Sequence, residues 1–374
     1  MTAFADWAES QLARIRDADQ WRVTRTFDAL GPVGQLDGRE VVSFASNDYL
    51  GLSSHPAVMD AAKAAIDKWG AGATASRLVV GSRPVHDELE AELSSWKDTE
   101  AALIFPTGFA TNIGVLATLG GPDCLVVSDE LNHASIIDGC RMSRSPIAVA
   151  AHNDVEHVDR LLTERTADRA IVVADAVFSM DGDEAPVLEL GEVCARRGAL
   201  LILDEAHSVF GPALEPLSEI AGLDLLKVVT LSKGLGAMGG AVCGDRAVID
   251  LLINRTRPFI FTTGLSPADT AAALAAVQIT RSAEGTALIE RVRGFTDQLS
   301  PGHPSPIVPI VVGAEADTVA AAAALLEAGI LVPAIRPPTV AAGTSRLRVT
   351  LSAAHTQAQV DALIAGLKAA ELLS

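Results

Sequence analysis

The chain has 374 residues, of which 49% are hydrophobic and 20% are charged, and its formal net charge is −18. This length and apolar content predict a large core in two or three domains and argue against disorder. The negative charge argues against binding nucleic acid or an anionic membrane through the overall field. The four cysteines form no CxxC pair, so we expect neither a disulfide frame nor a metal site.

The first twenty residues carry acidic side chains early and contain no apolar h-region. This pattern predicts an amphipathic helix rather than a signal peptide. No stretch of about twenty apolar residues is free of charges and turn signals, so we expect no transmembrane helix and a cytoplasmic protein.

Short apolar runs alternate with helical patterns through the middle of the chain, as with the helices predicted at 155–162 and 188–196. Strands rich in Val, Ile and Leu that alternate with helices predict an α/β fold, with a mostly parallel sheet covered by helices on both faces. The predicted strands are 101–105, 124–127, 147–150, 170–174, 199–203, 227–230 and 240–243.

The pattern changes near Ser266, where Ala-rich helices are predicted at 267–281 and 286–298. A β-α-β-α segment follows, with elements predicted at 307–312, 317–327, 347–351 and 357–370. We therefore predict an N-terminal helix and arm over residues 1–50, a large ligand-binding domain over 51–265 and a smaller C-terminal α+β domain over 266–374.

Polar clusters follow four of the predicted strands, at 106–112, 175–182, 204–207 and 230–236. Ligands of open parallel sheets bind beyond the carboxyl ends of the strands, so one shared site is expected there. The side chains suit pyridoxal 5′-phosphate. Lys233, at a glycine-flanked turn, can form a Schiff base with an aldehyde, and Asp204 can keep the pyridine nitrogen protonated.

Candidate residues are also present for the phosphate, the phenolic oxygen and the ring face of that cofactor. Gly108 and Phe109 open a predicted helix whose backbone N–H groups can bind the phosphate, and Thr230 offers a hydroxyl to the same phosphate. His207 can hydrogen-bond the phenolic oxygen of the ring, and His133 can stack on the ring face.

Each of these features alone has an ordinary explanation. A Ser-Lys-Gly sequence is usually a surface turn, and a lone histidine is more often structural. Residues 204–207 read Asp-Glu-Ala-His, as in a helicase box, but no G-x-x-x-x-G-K-[ST] phosphate loop accompanies them. The joint order of Gly-Phe, His, Ser, Asp-x-x-His and Thr-x-x-Lys favours the pyridoxal-phosphate interpretation.

Over residues 22–356 the chain resembles the α-oxoamine synthases, which are fold-type I pyridoxal-phosphate enzymes that condense an amino acid with an acyl-CoA. The resemblance rests on residues 46–52, Gly81 with His86, and the stretches 177–182, 204–207 and 230–234. It implies that Lys233 carries the cofactor and that Asp204 faces the pyridine nitrogen. The other cofactor contacts that it implies are Gly108, Phe109, His133, Ser179, His207 and Thr230.

Residues 257–264 and 335–348 resemble the member of this family that condenses L-alanine with pimeloyl-CoA or pimeloyl-ACP in biotin biosynthesis. The resemblance implies a homodimer in which Thr262 and Thr263 reach the neighbouring subunit's phosphate. It also implies that Lys233, Asp204, His133 and His207 are catalytic. The implied substrate contacts are Arg348, which would clamp the carboxylate, and Arg22, Asn47, His133 and Thr339.

Two other interpretations stay open at this point. One is a sibling enzyme that uses glycine, such as a glycine acetyltransferase or a 5-aminolevulinate synthase, and the other is a non-catalytic partner subunit of the same fold. The chain also departs from the family at 208–214, which is short and poor in glycine, and at Ala75, where glycine is common. A backbone position that needs positive φ would resist alanine, and if the loop is strained or reshaped there, a different substrate specificity would follow.

Overall fold

The computed structural model describes residues 2–17, 20–210 and 215–373. Its strands are β1 (Phe27–Ala29), β2 (Val33–Leu36), β3 (Arg39–Ser43), β4 (Ala101–Phe105), β5 (Cys124–Asp129), β6 (Ile147–Ala150), β7 (Arg169–Asp175), β8 (Leu200–Asp204), β9 (Asp224–Thr230), β10 (Gly240–Gly244), β11 (Ile307–Gly313), β12 (Ile330–Leu331), β13 (Ala334–Ile335) and β14 (Ser345–Thr350).

The helices lie mostly between these strands. They are α1 (Ala3–Asp17), α2 (Pro56–Trp69), α3 (Pro84–Trp96), α4 (Gly108–Leu119), α5 (Ala134–Ser143), α6 (Val155–Thr163), α7 (Val187–Arg197), α8 (Arg246–Arg255), α9 (Arg257–Ile260), α10 (Pro267–Thr280), α11 (Ala283–Leu299), α12 (Glu315–Glu327) and α13 (Gln357–Ala369).

The central sheet has seven strands in the order β4-β10-β9-β8-β7-β5-β6. Strands β6, β5, β7, β8 and β9 are parallel, and β10 runs antiparallel to both β9 and β4. All seven predicted strands and the mostly parallel sheet are confirmed, with strand ends that differ by at most three residues.

Helices cover both faces of this sheet, as the apolar strand composition predicted. Neighbouring residues of one strand enter different clusters: Val173 and Ile202 pack with residues of α4, α5 and α8, whereas Val172 and Leu201 pack with α6 and α7. Because side chains alternate along a strand, two apolar faces require an almost continuous apolar run. That requirement explains why the strands were readable from the sequence.

Two smaller sheets flank the central one. The first has the order β1-β2-β3-β12, so a C-terminal strand pairs in parallel with the N-terminal arm. The second has the order β11-β14-β13 and is antiparallel. The predicted C-terminal β-α-β-α pattern is confirmed by β11, α12, β14 and α13.

The structure also bears on the predicted N-terminal helix, on membrane-spanning helices and on the two departures from the family pattern. The predicted N-terminal helix is confirmed as α1, and none of its described side chains is buried. Among the described helices, none is long and apolar enough to cross a membrane. Positive φ falls on Thr74, at 68°, and not on Ala75, so the alanine carries no backbone strain. Of the short stretch at 208–214, residues 211–214 lie outside the described residues.

Candidate active site

A cavity of about 210 Å³ lies at the carboxyl end of the central sheet, where β7, β8 and β9 end. Loops after separate strands converge on it, because the carboxyl ends of parallel strands share one edge of the sheet. Seven of the residues expected from the sequence line this cavity: Gly108, Phe109, His133, Asp204, His207, Thr230 and Lys233.

The amine of Lys233 projects towards two histidines and two carboxylates. Its Nζ lies 2.8 Å from Nε2 of His207. Burial lowers the pKa of Lys233; the charges of Asp204 and Asp175 raise it, and the charge of Arg348 lowers it, with a net lowering. A lowered pKa increases the fraction of neutral amine, which is the form that attacks an aldehyde or accepts a proton.

Asp204 is buried and held by hydrogen bonds to both of its carboxylate oxygens. Asn112 donates from Nδ2 to Oδ2 at 2.6 Å, and the backbone N–H of Ala206 donates to Oδ1 at 2.9 Å. Asn112 also donates to the hydroxyl of Ser135 at 2.9 Å. The sequence placed Asn112 in a polar cluster but assigned it no role. The structure shows that it fixes the carboxylate that faces the cavity.

Asp175 is a second buried carboxylate in the cavity wall that sequence reasoning did not select. Its Oδ2 accepts a hydrogen bond from the backbone N–H of His133 at 2.7 Å. Burial and the neighbouring charge of Asp204 raise the pKa of Asp175 well above its ordinary value. The signal for it was its position directly after the apolar run of β7, in the cluster at 175–182.

His133 forms the N-cap of α5 and is oriented by Ser135. Its Nδ1 accepts from the backbone N–H of Ser135 at 3.2 Å and lies 2.7 Å from the Ser135 hydroxyl. Its ring lies edge-to-face with Phe109, with centroids 6.5 Å apart. Burial lowers the pKa of His133, and the charge of Lys233 lowers it further. A neutral imidazole with a fixed Nδ1 acceptor therefore lines the cavity.

The N-terminus of α4 opens on the same cavity. Thr107 caps the helix by accepting from the N–H of Ala110 at 2.9 Å. A Cβ on Gly108 would lie 3.2 Å from the hydroxyl oxygen of Thr230, and a Cβ on Gly240 would lie 2.6 Å from the backbone nitrogen of Gly108. These glycines let the helix end approach β9 and β10 closely. The free N–H groups and the helix dipole suit a phosphate.

Arg348 lies on β14 and is almost fully buried; it does not line this cavity, but its charge acts on Lys233. Its Nε donates to the carbonyl of Ser179 at 2.5 Å, and its Nη2 donates to Oδ1 of Asn47 at 3.2 Å. Its neighbour on the strand, Arg346, pairs with Asp181. The loop after β7 therefore meets β14 through two arginines, and Arg348 keeps its guanidinium near Asn47.

The other predicted residues do not line this cavity. Arg22 and Thr339 are exposed. Thr262 and Thr263 follow α9, beside Gly264, whose N–H donates to the carbonyl of Ala75. These assignments stay predictions, and those for Thr262 and Thr263 concern a neighbouring subunit.

The cavity groups fit pyridoxal 5′-phosphate. An amine with a lowered pKa, a carboxylate fixed by Asn112, and a helix N-terminus that glycine leaves open all meet in one space. These are the partners required by the aldehyde, the ring nitrogen and the phosphate of that cofactor.

Comparison with known proteins agrees with this site. The model of the family described as aminotransferase class I and II matches residues 39–367. An 8-amino-7-oxononanoate synthase of Anaeromyxobacter dehalogenans is 50% identical over 97% of this chain and 95% of its own length. One from Mycolicibacterium gilvum is 45% identical over 88% of each chain.

Solved structures show the same fold. The serine palmitoyltransferase of Sphingomonas wittichii superposes with a TM-score of 0.88 at 29% identity, covering 100% of this chain and 99% of its own. The 8-amino-7-oxononanoate synthase of Francisella tularensis has a TM-score of 0.73 at 25% identity, covering 88% and 98%. The chain belongs to the fold-type I enzymes of the aminotransferase class I and II family and, within them, to the 8-amino-7-oxononanoate synthases. The cofactor of this group is pyridoxal 5′-phosphate.

Proposed function

We propose that the protein condenses L-alanine with the pimeloyl thioester of coenzyme A or of an acyl carrier protein. The products are 8-amino-7-oxononanoate, the free thiol and carbon dioxide, in biotin biosynthesis. The observation that carries this proposal is the Lys233 amine, which has a lowered pKa and shares one cavity with Asp204 and the N-terminus of α4. The relatives at up to 50% identity that bear this enzyme's name support the substrate choice.

The residues that would hold the cofactor follow from the site. Lys233 would bind its aldehyde carbon and Asp204 would accept a hydrogen bond from its ring nitrogen. Gly108, Phe109 and Thr230 would hold its phosphate, with Ser179, His133 and His207 beside the ring. When bound, the cofactor supplies an electron-withdrawing ring that stabilises negative charge at the Cα of the amino acid.

The chain's own side chains would orient the substrate and move its proton. Arg348 would bind the carboxylate of alanine with its planar fork, with Asn47 beside it. Lys233, as a neutral amine, would accept the Cα proton. The new bond joins that Cα to the pimeloyl carbonyl carbon, and the thioester C–S bond breaks to give a thiolate that takes a proton from solvent. The alanine carboxylate then leaves as carbon dioxide, and the proton held by Lys233 returns to the Cα.

The test is an assay of free thiol release by the purified protein loaded with pyridoxal phosphate. L-alanine with pimeloyl-CoA or pimeloyl-ACP is expected to give sustained release together with carbon dioxide, and the two thioesters identify the carrier. Release only with glycine and a short acyl-CoA would contradict this proposal and favour a sibling activity. No release with any pair would favour the non-catalytic partner subunit.

We further propose a homodimer with its active sites at the interface. A group of large apolar side chains is exposed near Gly264, and we name it the apolar rim: Leu78, Val79, Val80 and Phe261, with exposed fractions of 53%, 72%, 64% and 71%. Exposed apolar patches of this kind are typical of protein interfaces. Thr262 and Thr263 directly follow Phe261, so a partner that covers the apolar rim would bring them near its own phosphate site.

A mixing experiment tests this shared site. Neither Lys233→Ala nor the double variant Thr262→Val with Thr263→Val is expected to be active alone. A one-to-one mixture, exchanged through mild denaturation and refolding, is expected to regain about one quarter of wild-type activity, because half of the dimers then hold one intact site. A mixture that stays inactive while sedimentation shows dimers would contradict the shared site.

A further inference from the structure

We propose that Tyr49 is a positioning residue for this reaction: its hydroxyl joins the histidine beside Lys233 to the arginine expected to bind the substrate carboxylate. Tyr49 is fully buried and is the only tyrosine of the chain. This inference rests on the proposed function for the identity of the substrate, and on geometry alone for the connection itself.

The connection is a continuous run of side-chain contacts. Lys233 Nζ lies 2.8 Å from His207 Nε2, and the other ring nitrogen, Nδ1, lies 2.5 Å from the hydroxyl oxygen of Tyr49. The same hydroxyl lies 3.1 Å from Oδ1 of Asn47. That oxygen accepts from Arg348 Nη2 at 3.2 Å. We call this run the Tyr49 chain: Lys233, His207, Tyr49, Asn47 and Arg348.

The donors and acceptors available in the Tyr49 chain fix the direction of its hydrogen bonds. The amide oxygen of Asn47 only accepts, so the single proton of the Tyr49 hydroxyl is directed towards it. The hydroxyl oxygen is then free to accept from Nδ1–H of His207, which leaves Nε2 without a proton. An unprotonated Nε2 accepts a hydrogen bond from Lys233.

The charge states of the two inner members agree with this direction. Burial lowers the pKa of His207 well below its ordinary value, and the charges of Lys233 and Arg348 lower it further, so the ring is neutral. Burial raises the pKa of Tyr49, so its hydroxyl keeps its proton. A neutral histidine with one proton has one defined tautomer, and Tyr49 selects it.

The tautomer of His207 affects the pKa of the Lys233 amine. Lys233 faces five ionisable groups from separate elements: Asp175, Asp204, Arg348, His133 and His207. Among them His207 is the hydrogen-bond acceptor of its Nζ. Without the Tyr49 hydroxyl, His207 is free to carry its proton on Nε2, which would aim an N–H at the amine. The charged form of Lys233 would then lose an acceptor, and its pKa would fall.

The test uses Tyr49→Phe, which removes only the hydroxyl. The readout is the pH dependence of acetylation of Lys233 in the full-length protein by a small anhydride, with and without pyridoxal phosphate, measured by peptide mass spectrometry. Without the cofactor, the midpoint for Lys233 is expected to fall by about half a unit to one unit. In the loaded protein kcat is expected to fall by about tenfold or more, with a smaller change in KM.

The matched control is Thr296→Val, which removes another fully buried hydroxyl, one that donates to the carbonyl of Val292 within α11. It is expected to leave the Lys233 midpoint unchanged. A Tyr49→Phe midpoint that moves by less than about 0.2 units, or rises, would overturn the positioning role.

A second measurement does not depend on the folding of Tyr49→Phe. Because the chain has one tyrosine, labelling tyrosine with ¹³C at Cζ gives a single signal. His207→Ala is expected to shift that signal and Thr296→Val to leave it in place. An unshifted signal in His207→Ala would overturn the contact. If alanine and pimeloyl thioester give no product while the midpoint and the signal both move, the Tyr49 chain stands and the proposed substrate fails.

Discussion

Asp204 and Glu205 are adjacent acids at the end of β8, and they lie on opposite faces of the central sheet. Asp204 faces the cavity that holds Lys233. Glu205 faces a different cavity, of about 600 Å³, where its Oε2 lies 2.6 Å from Nζ of Lys97. Lys227 completes that second group by donating to the carbonyl of Lys97 at 2.7 Å. Strand alternation alone separates the two acids.

The difference between the two faces shows what distinguishes a reactive charge from a structural one. On the Glu205 face, each lysine is matched to an oxygen of the protein. On the Asp204 face, the pKa of Lys233 is lowered and that of Asp175 is raised, and both line an open cavity. Perturbed groups in a cavity are typical of catalytic sites.

The largest effect should separate Lys233 from Lys227, the buried lysine of β9. Lys233→Ala is expected to abolish the absorbance of lysine-bound cofactor and to lower kcat by about 10³-fold or more, because Lys233 is the only lysine among the described residues that line the cavity. Lys227→Met is the matched control. It should keep the absorbance and lose about 1–3 kcal/mol of stability, because it leaves the Lys97 carbonyl unpartnered. If the absorbance of lysine-bound cofactor survives in Lys233→Ala, Lys233 is not the lysine that binds the cofactor.

Substitutions of the adjacent acids Asp204 and Glu205 should likewise differ, with loss of activity at Asp204 and loss of stability at Glu205. Asp204→Asn is expected to lower kcat by about 10²–10³-fold, because the amide cannot stabilise a positively charged ring nitrogen. Glu205→Gln should keep kcat near the wild-type value and lower the free energy of unfolding by about 1–3 kcal/mol, because Lys97 loses its partner. The measurements are steady-state kinetics and urea unfolding. Equal losses of kcat in both variants would contradict the separation of the faces.

His152 lies outside the cavity, and its charge should affect the stability of the protein and the pH dependence of that stability. His152 lies between Asp129, at 3.1 Å, and Asp183, at 2.8 Å, and its backbone N–H donates to Glu130. Burial would lower the pKa of His152, but the hydrogen bonds to Asp129 and Asp183 outweigh it and raise the pKa. A raised folded-state pKa contributes stability that is fully present below the unfolded pKa and is lost as the pH rises through the folded pKa.

The variant His152→Gln tests this sign. It is expected to lose about 1–2 kcal/mol relative to wild type at about pH 5.5 and clearly less at about pH 9. Urea unfolding at both pH values gives the difference. A larger loss at the higher pH would show that the histidine is not stabilised as a cation.

The smallest effect should distinguish two helix caps. Thr107 caps α4 at the cavity and Thr356 caps α13 in the C-terminal part of the chain. Changing either to Ala is expected to lower stability by about 1 kcal/mol. Only Thr107→Ala should also weaken pyridoxal-phosphate binding, by about tenfold or less, because it disturbs the helix end at the phosphate site. Equal cofactor affinity in both variants would show that the N-terminus of α4 does not bind the phosphate.

The sequence predicted the central sheet well because both faces of its strands are buried, which leaves runs of Val, Ile and Leu that few other structures require. The cavity residues Lys233, Asp204 and His207 were also predictable, since each lies within three residues of the end of β8 or β9. Their chemistry could be inferred because the ends of parallel strands meet at one edge.

The supporting contacts were not predictable from local patterns. Asn112 meets Asp204 across 92 positions of the chain, and Tyr49 meets His207 across 158. Hydrogen bonds between such distant residues depend on how the elements pack, which no periodicity records. Thr262 and Thr263 depend on a second chain, and the boundaries at residues 50 and 265 have no local signal strong enough to fix them, so both stay predictions.

The most direct test of the central claim is to identify the lysine that carries the cofactor. The protein loaded with pyridoxal phosphate would be reduced with borohydride, digested and mapped by mass spectrometry. Label on Lys233, with Lys227 and Lys97 unmodified, is the result expected from the two faces of β8 and β9. Label on Lys227 or Lys97, or no label at all, would contradict the assignment of the cavity as the active site.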